Sequence, residues 1–270
     1  MIPYPFTYHR AKSLAEAQSL LAASPDAKLL AGGQTLIAAM KLRLANPAAL
    51  IDISGLGELS HIREEGGSLA IGAGTTHADV AASPIVQRAI PALAFLAEEI
   101  GDPAVRHMGT IGGSVANNDP AADYPAAVLA LNATIKTTKR GIAADDFFTG
   151  MFSTALDESE IVTEIDFPRP DCAGYAKFRN PASRYAMAGA FVAKFGGGVR
   201  VAVTGAGSCV FRVPEMEAAL ARKFSPDAIA SVAISPDGLN SDIHGSAEYR
   251  ANLVTVMAKR AVAIALGQSH

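Results

Sequence analysis

Cysteine is scarce in this chain: Cys172 and Cys209 are the only two in 270 residues. Two thiolates fall short of the four that an iron–sulfur cluster usually takes, so no cluster is expected on this chain's own ligands. The six histidines are scattered. None belongs to a His-Glu-x-x-His or mixed Cys/His set, and no metal site is expected. An excess of charge is missing too. Lys and Arg number 23 against 26 Asp and Glu, a net charge of -3. No basic stripe marks a nucleic-acid partner. The one dense basic group, Lys136, Lys139 and Arg140, reads as a solvated strand end. Long apolar runs are absent; the best, residues 124–131, is far too short to span a bilayer. The opening MIPYPFTYHR has no charged start followed by an apolar core, so no signal peptide is expected. The expected compartment is the cytoplasm, where a Cys172–Cys209 disulfide is disfavoured.

What is plentiful is apolar residue: 50% hydrophobic against 18% charged. That balance belongs to a globular chain with one large core or two smaller ones. Ser13 and Glu16 have capping-box spacing before a helix over 13–23, with Leu14, Ala17 and Leu21 on one face. A short strand at 28–31 is broken by Gly32-Gly33. A helix over 34–45 follows, with Leu36, Met40 and Leu44 at i, i+4, i+8, and Asn46-Pro47 ends it. Another strand covers 49–53. Residues 61–71 form a hairpin turning at Gly66-Gly67. Helices are expected at 76–82, 85–89 and 91–100. Residues 101–124, rich in Gly, Asn, Asp and Pro, read as a long irregular segment, either functional or disordered. A helix at 125–131 and strands at 133–138 and 161–167 lead to Pro168-Arg169-Pro170, a domain boundary. Beyond it, 175–179, 186–195 and 199–204 read as an antiparallel meander with a three-glycine turn at 196–198. Helices are expected at 214–224, 226–232 and 246–266, the last ending at Gly267. The chain thus divides into two α+β parts, 1–170 and 171–270.

Two segments carry chemistry: Leu29-Leu30-Ala31-Gly32-Gly33-Gln34-Thr35-Leu36, and Gly109-Thr110-Ile111-Gly112-Gly113-Ser114-Val115-Ala116-Asn117. Each sets paired glycines beside a small hydroxyl. Glycines let backbone N–H groups converge with no side chain in the way. Thr35 or Ser114 can add a hydroxyl, and a helix start behind Gly33 adds partial positive charge. Two such loops suit the clamping of a pyrophosphate; they also suit two ordinary tight turns. Other readings fail on residues. There is no G-x-G-x-x-G, since Gly72-Ala73-Gly74-Thr75-Thr76-His77 lacks the last glycine. There is no G-x-x-x-x-G-K-[ST]. Gly112-Gly113-Ser114-Val115-Ala116 lacks the closing glycine of a nucleophile elbow.

Four segments, in order and at matching spacing, resemble one family. They are AGGQTLIAAMKLRLANPAALIDI (31–53), VRHMGTIGGSVANNDPAADYPAAVLALNA (105–133), ADDFFTGMFSTALDESEIV (144–162) and KFRNPASRYAMAGAFVA (177–193). The family is the FAD-binding medium subunit of the carbon monoxide dehydrogenase and xanthine dehydrogenase molybdenum hydroxylases. The resemblance covers essentially the whole chain. It implies an α+β fold: a two-subdomain FAD module of the vanillyl-alcohol-oxidase/PCMH type (about 1–56 and 57–170), then a smaller C-terminal domain of antiparallel sheet plus helices (171–270).

By the same resemblance, Leu29 to Leu36 and Thr110, Ile111, Gly112, Gly113, Ser114 and Asn117 hold the FAD, with Ala31–Thr35 and Thr110–Ser114 on its pyrophosphate. Asp123 accepts from a ribityl or ribose hydroxyl; the residues alone read as a helix N-cap before Pro125, and the two roles are compatible. Lys177 is a cation near the flavin that raises its potential; a solvent-facing strand lysine is the other reading. Ile100 and Val162 are apolar cofactor contacts or simple core, and Tyr185 lies near the flavin ring or merely packs. His107 stands where a polar residue such as Asn is expected and carries no role. No residue is assigned to bond-making on an organic substrate. The implied work is electron relay. A large partner subunit carries a molybdenum cofactor, a small one two [2Fe-2S] clusters, and the external acceptor is NAD or a quinone. A free-standing flavin oxidoreductase and a non-catalytic nucleotide-binding scaffold are the alternatives.

Overall fold

The computed structural model describes residues 2–268. The chain opens with β1 (Thr7–Arg10), α1 (Leu14–Ala23), β2 (Ala27–Leu30), α2 (Leu36–Lys41) and β3 (Ala49–Asp52). The strands form a parallel sheet in the order β1-β3-β2. The Ser13 side chain caps α1 by accepting from the Glu16 N–H. Glu16 reaches back one residue further than a capping box requires, to the Lys12 N–H at 2.8 Å. β1 was not legible, because a four-residue edge strand with mostly exposed side chains carries no burial pattern. The expected helix over 34–45 is corrected to six residues. Arg43 turns left-handed (φ 59°) and stops it. Met40 is therefore buried while Leu44 stands 79% exposed.

The middle of the chain builds an antiparallel five-stranded sheet in the order β4-β5-β10-β6-β7. Its strands are β4 (Ile62–Glu65), β5 (Ser68–Gly72), β6 (Thr134–Thr137), β7 (Gly141–Ala143) and β10 (Val162–Pro168). Gly66 and Gly67 both have positive φ, which a two-residue hairpin turn with the strands' twist requires. A helical layer covers the sheet: α3 (His77–Ala82), α4 (Pro84–Ala89), α5 (Pro91–Glu98), α6 (Pro103–Arg106), α7 (Ile111–Asn117), α8 (Tyr124–Ala130) and α9 (Ala144–Phe147). A small hairpin, β8 (Phe148–Gly150) and β9 (Ser153–Thr154), completes it. The expected irregular segment 101–124 is corrected here, for it contains α6 and α7. Asp102 caps α6 by accepting from the Val105 N–H, and Thr110 caps α7 by accepting from the Gly113 N–H. Helices of four and seven residues are too short for a periodic signal, and two glycines disguise the second.

At Pro168 the chain leaves this sheet, and at Cys172 it enters a meander. β11 (Cys172–Arg179), β12 (Ala186–Phe195), β13 (Gly198–Thr204) and β14 (Phe211–Arg212) lie in that order. α10 (Pro214–Arg222) and α11 (Ala247–Ala265) follow. The helix expected over 226–232 is corrected to a single 3-10 turn, Pro226–Ile229. β12 is buried on both faces. Ala188, Ala190 and Val192 pack with Leu253, Met257 and Ala261 of α11. Phe191 and Ala193 join the core of the middle unit. The meander is thus a layer between α11 and the middle unit, which brings its β11 edge beside the end of α5. No helix among the described residues is long and apolar enough to cross a membrane.

Candidate functional site

The first glycine loop leaves the C-terminal end of β2, where parallel strands commonly open a binding crevice. Gly33 takes φ +69° and turns the chain. Around it the backbone N–H groups of Gly32, Gly33, Gln34, Thr35 and Leu36 donate to no acceptor among the described residues; the next N–H to do so is that of Ile37, to Gly33 O. Thr35 does not use its hydroxyl to cap α2. Gln34 and Thr35 are exposed, and Leu29, Leu30, Ala31 and Leu36 half-buried. Five consecutive unpartnered N–H groups at a helix start suit an anion.

The second loop differs. Its N–H groups are already engaged: Ile111 to Thr75 O at 3.0 Å, Gly112 to Ala73 O at 2.9 Å, Ser114 to Thr110 O at 3.0 Å, and Gly113 to Thr110 Oγ1 at 3.2 Å. Gly112 is buried, and a Cβ on it would stand 2.4 Å from Ala73 Cβ. The packing of α7 on the end of β5 is thus enough by itself to require glycine at position 112. Gly113 is exposed, and a Cβ there would meet only Thr110 Oγ1. Ser114 and Asn117 lie half-exposed on α7. The two loops touch: a Cβ on Gly32 would fall 2.0 Å from Met108 O.

Beneath the second loop lies a residue that sequence reasoning passed over. His77 is 5% exposed, and its N–H donates to Gly109 O at 2.9 Å. Its ring lies 5.4 Å from that of Tyr124. Burial, with Arg106 adding repulsion, holds its pKa down to about 4, so the ring is neutral at physiological pH. The only signal in the sequence was a histidine directly after a Thr-Thr helix start. His107, by contrast, is an exposed residue at the end of α6.

Asp123 and Lys177 meet across two units. Thr204 of β13 donates to Pro120 O at 3.1 Å and Ala122 O at 2.6 Å, which ties down the segment that ends in Asp123. The N-cap reading of Asp123 is corrected: its side chain makes no cap bond. It accepts instead from Lys177 Nζ at 2.9 Å and from the Tyr175 hydroxyl. The solvent-facing reading of Lys177 is corrected as well, for its side chain is 1% exposed. A second bond runs from Nζ to Glu99 O at 2.8 Å. Burial pushes the Asp123 carboxyl up, and Lys177 and Tyr175 work against that rise. Tyr175 is held well above the usual phenol range, first by burial and then by Asp123. Ile100, next to Glu99, is half-buried against the core, and Val162 is core at 6% exposed. Tyr185 is 50% exposed, with its phenol pushed up by partial burial and by Asp119 and Asp123.

The residues fit a dinucleotide: N–H groups suited to phosphate in the first loop, small residues in the second loop that touches it, and a buried carboxylate–ammonium pair at Asp123 and Lys177. The family described as FAD binding domain in molybdopterin dehydrogenase matches residues 4–170. The carbon monoxide dehydrogenase medium chain of Hydrogenophaga pseudoflava is 39% identical over 97% of each chain. The nicotine 6-hydroxylase medium subunit of Paenarthrobacter nicotinovorans is 36% identical over 94% of this chain and 95% of its own. Among solved structures, a carbon monoxide dehydrogenase from Hydrogenophaga pseudoflava superposes with a TM-score of 0.89 over 100% of both chains at 39% identity. Quinoline 2-oxidoreductase from Pseudomonas putida 86 does so at 0.90 over 99% of both chains and 29% identity. The chain is an oxidoreductase subunit, a member of the FAD-binding medium-subunit family of the carbon monoxide dehydrogenase and xanthine dehydrogenase molybdenum hydroxylases.

Proposed function

We propose that this chain is the electron-transfer subunit of a molybdenum hydroxylase complex, and that the observation carrying this is the run of five free N–H groups from Gly32 to Leu36 beside the second glycine loop. The first loop binds the FAD pyrophosphate through those groups. Thr110, Ser114 and Asn117 line its other side, and Gly113 keeps that side low. Asp123 accepts from a ribityl or ribose hydroxyl, Lys177 sets a buried positive charge near the ring system, and Tyr185, Ile100 and Val162 border it. Bound FAD would take electrons from partner iron–sulfur clusters and pass them to an external acceptor, redox chemistry that no side chain here supplies. The chain's own residues bind, orient and tune.

The partners in this reading are a large subunit with a molybdenum cofactor and a small subunit with two [2Fe-2S] clusters. The acceptor is NAD or a quinone, and the compartment the cytoplasm. Residues 1–170 act as the FAD-binding domain and 171–270 as the domain that supplies Lys177.

The test is the visible spectrum of the purified chain, with the released cofactor identified by mass. FAD near one per chain is expected. A steady-state assay of the lone chain with NADH or a small oxidisable donor is the complement. Fast turnover without partners would overturn the relay and favour a free-standing oxidoreductase. A colourless chain that takes up no FAD, alone or with partners, would favour a scaffold.

A further inference from the structure

Tyr175, Lys177 and Arg179 alternate along β11, so their side chains share one face of the strand. Arg179 pairs with the Glu99 carboxylate, and Lys177 bonds the Glu99 carbonyl at 2.8 Å. Lys177 also bonds Asp123 Oδ1 at 2.9 Å, and the Tyr175 hydroxyl donates to that same oxygen. Both donors take Oδ1, which leaves Oδ2 with no protein partner among the described residues. Tyr175 is 0% exposed and its ring packs 6.1 Å from that of Phe191. Gly189 lies opposite Lys177 on β12. A Cβ there would stand 3.0 Å from the Tyr175 hydroxyl, so the glycine makes room for the phenol inside the strand.

We propose that Tyr175 is a positioning residue of the flavin site, whose hydroxyl, together with Lys177, grips Asp123 by one oxygen so that the other is presented to a cofactor hydroxyl. The proposal rests on the flavin reading above, and Tyr175 acts only through Asp123. A carboxylate held by a single donor swings more freely and spends more time away from the ligand. Removing the phenol also removes one of the groups that oppose the upward push of burial on the carboxyl. The other groups facing it are Lys177 of β11, Tyr124 of α8, Glu99 at the end of α5 with its partner Arg179, and Tyr185 at the rim, itself beside Asp119. Of these Lys177 alone opposes protonation directly. Without Tyr175, Asp123 takes up a proton at higher pH, ceases to be a pure acceptor and loosens Lys177.

The experiment is a double-mutant cycle on the full chain, stripped of flavin and titrated with FAD at about pH 6 and about pH 8. Tyr175→Phe is expected to raise the FAD dissociation constant about tenfold, as the loss of a hydrogen bond to a charged group does. The loss should be larger at the lower pH. In an Asp123→Asn background the same substitution should add nothing. Gly189→Ala, which presses on the hydroxyl from β12, should give a smaller loss with the same pH trend, and serves if Tyr175→Phe folds poorly. Effects that simply add, or an affinity unchanged at both pH values, would overturn the role of Tyr175 while leaving the flavin site intact. A wild-type chain that takes up no FAD would overturn both.

Discussion

The two glycine loops look alike as strings of letters and behave differently as structure. In the first, the N–H groups of Gly32 to Leu36 have no acceptor among the described residues. In the second, Ile111 to Ser114 have spent theirs on Thr75, Ala73 and Thr110. The second loop is braced by its own hydrogen bonds, and the two loops pack so closely at Gly32 and Met108 that no side chain fits between them. A Gly-Gly pair therefore does not say whether glycine is needed for a ligand or for a neighbouring strand. What decides is where the missing Cβ would have pointed.

The contrast can be attacked most strongly at Gly112. Gly112→Val drives a branched side chain into Ala73 and should cost on the order of 4 kcal/mol of stability, with flavin loss as a consequence of unfolding. Thermal melting with and without FAD checks it. An unchanged melt with flavin lost would mean that Gly112 faces the cofactor, and the distinction between the loops would fall.

Next comes His77, beneath the second loop. Its pKa is about 4 in the fold against 6.5 unperturbed. Between those values the unfolded chain binds more protons than the folded one, so stability rises with pH across the window and is lost as pH falls. The loss should approach about 3 kcal/mol by pH 4. His77→Gln should flatten that part of the profile in a denaturant titration. An equal slope in the variant would place the acid sensitivity elsewhere.

The smallest effect separates the two threonines. Thr110 caps α7 and Thr35 caps nothing. Thr110→Ala should cost about 1 kcal/mol, and Thr35→Ala less than about 0.5 kcal/mol. Equal costs in chemical denaturation would mean that the first loop is as internally braced as the second.

Much of this fold was legible from local pattern. The alternation of 161–167, the capping pair Ser13 and Glu16, the Gly66-Gly67 turn and the long C-terminal helix each state their structure within a few residues. The failures share a physical cause. β1 is a short edge strand, α6 and α7 are shorter than two periods of any helical pattern, and α2 is cut off by a left-handed residue that Leu44 gives no hint of. At the site, Asp123 read as a cap or a ligand contact and Lys177 as a surface or a cofactor lysine. Neither choice could be made from the string, because each residue's partner lies 54 positions away. His77 and Tyr175 gave still less warning, being an ordinary histidine and an ordinary strand aromatic until burial and neighbours are known.

The sequence by itself determined the class of protein: two cysteines too few for a cluster, no catalytic constellation, and paired glycines where backbone must come close. It determined the family as well, since the order and spacing of four segments survive without coordinates. Only the tertiary structure decided that Gly32 and Gly112 are both closed in by neighbouring atoms, that the N–H groups around Gly33 are left without acceptors among the described residues, and that Asp123, Lys177 and Tyr175 form one buried unit. Hydrogen-bond saturation and burial belong to groups distant in the chain, and no local pattern of residues encodes them.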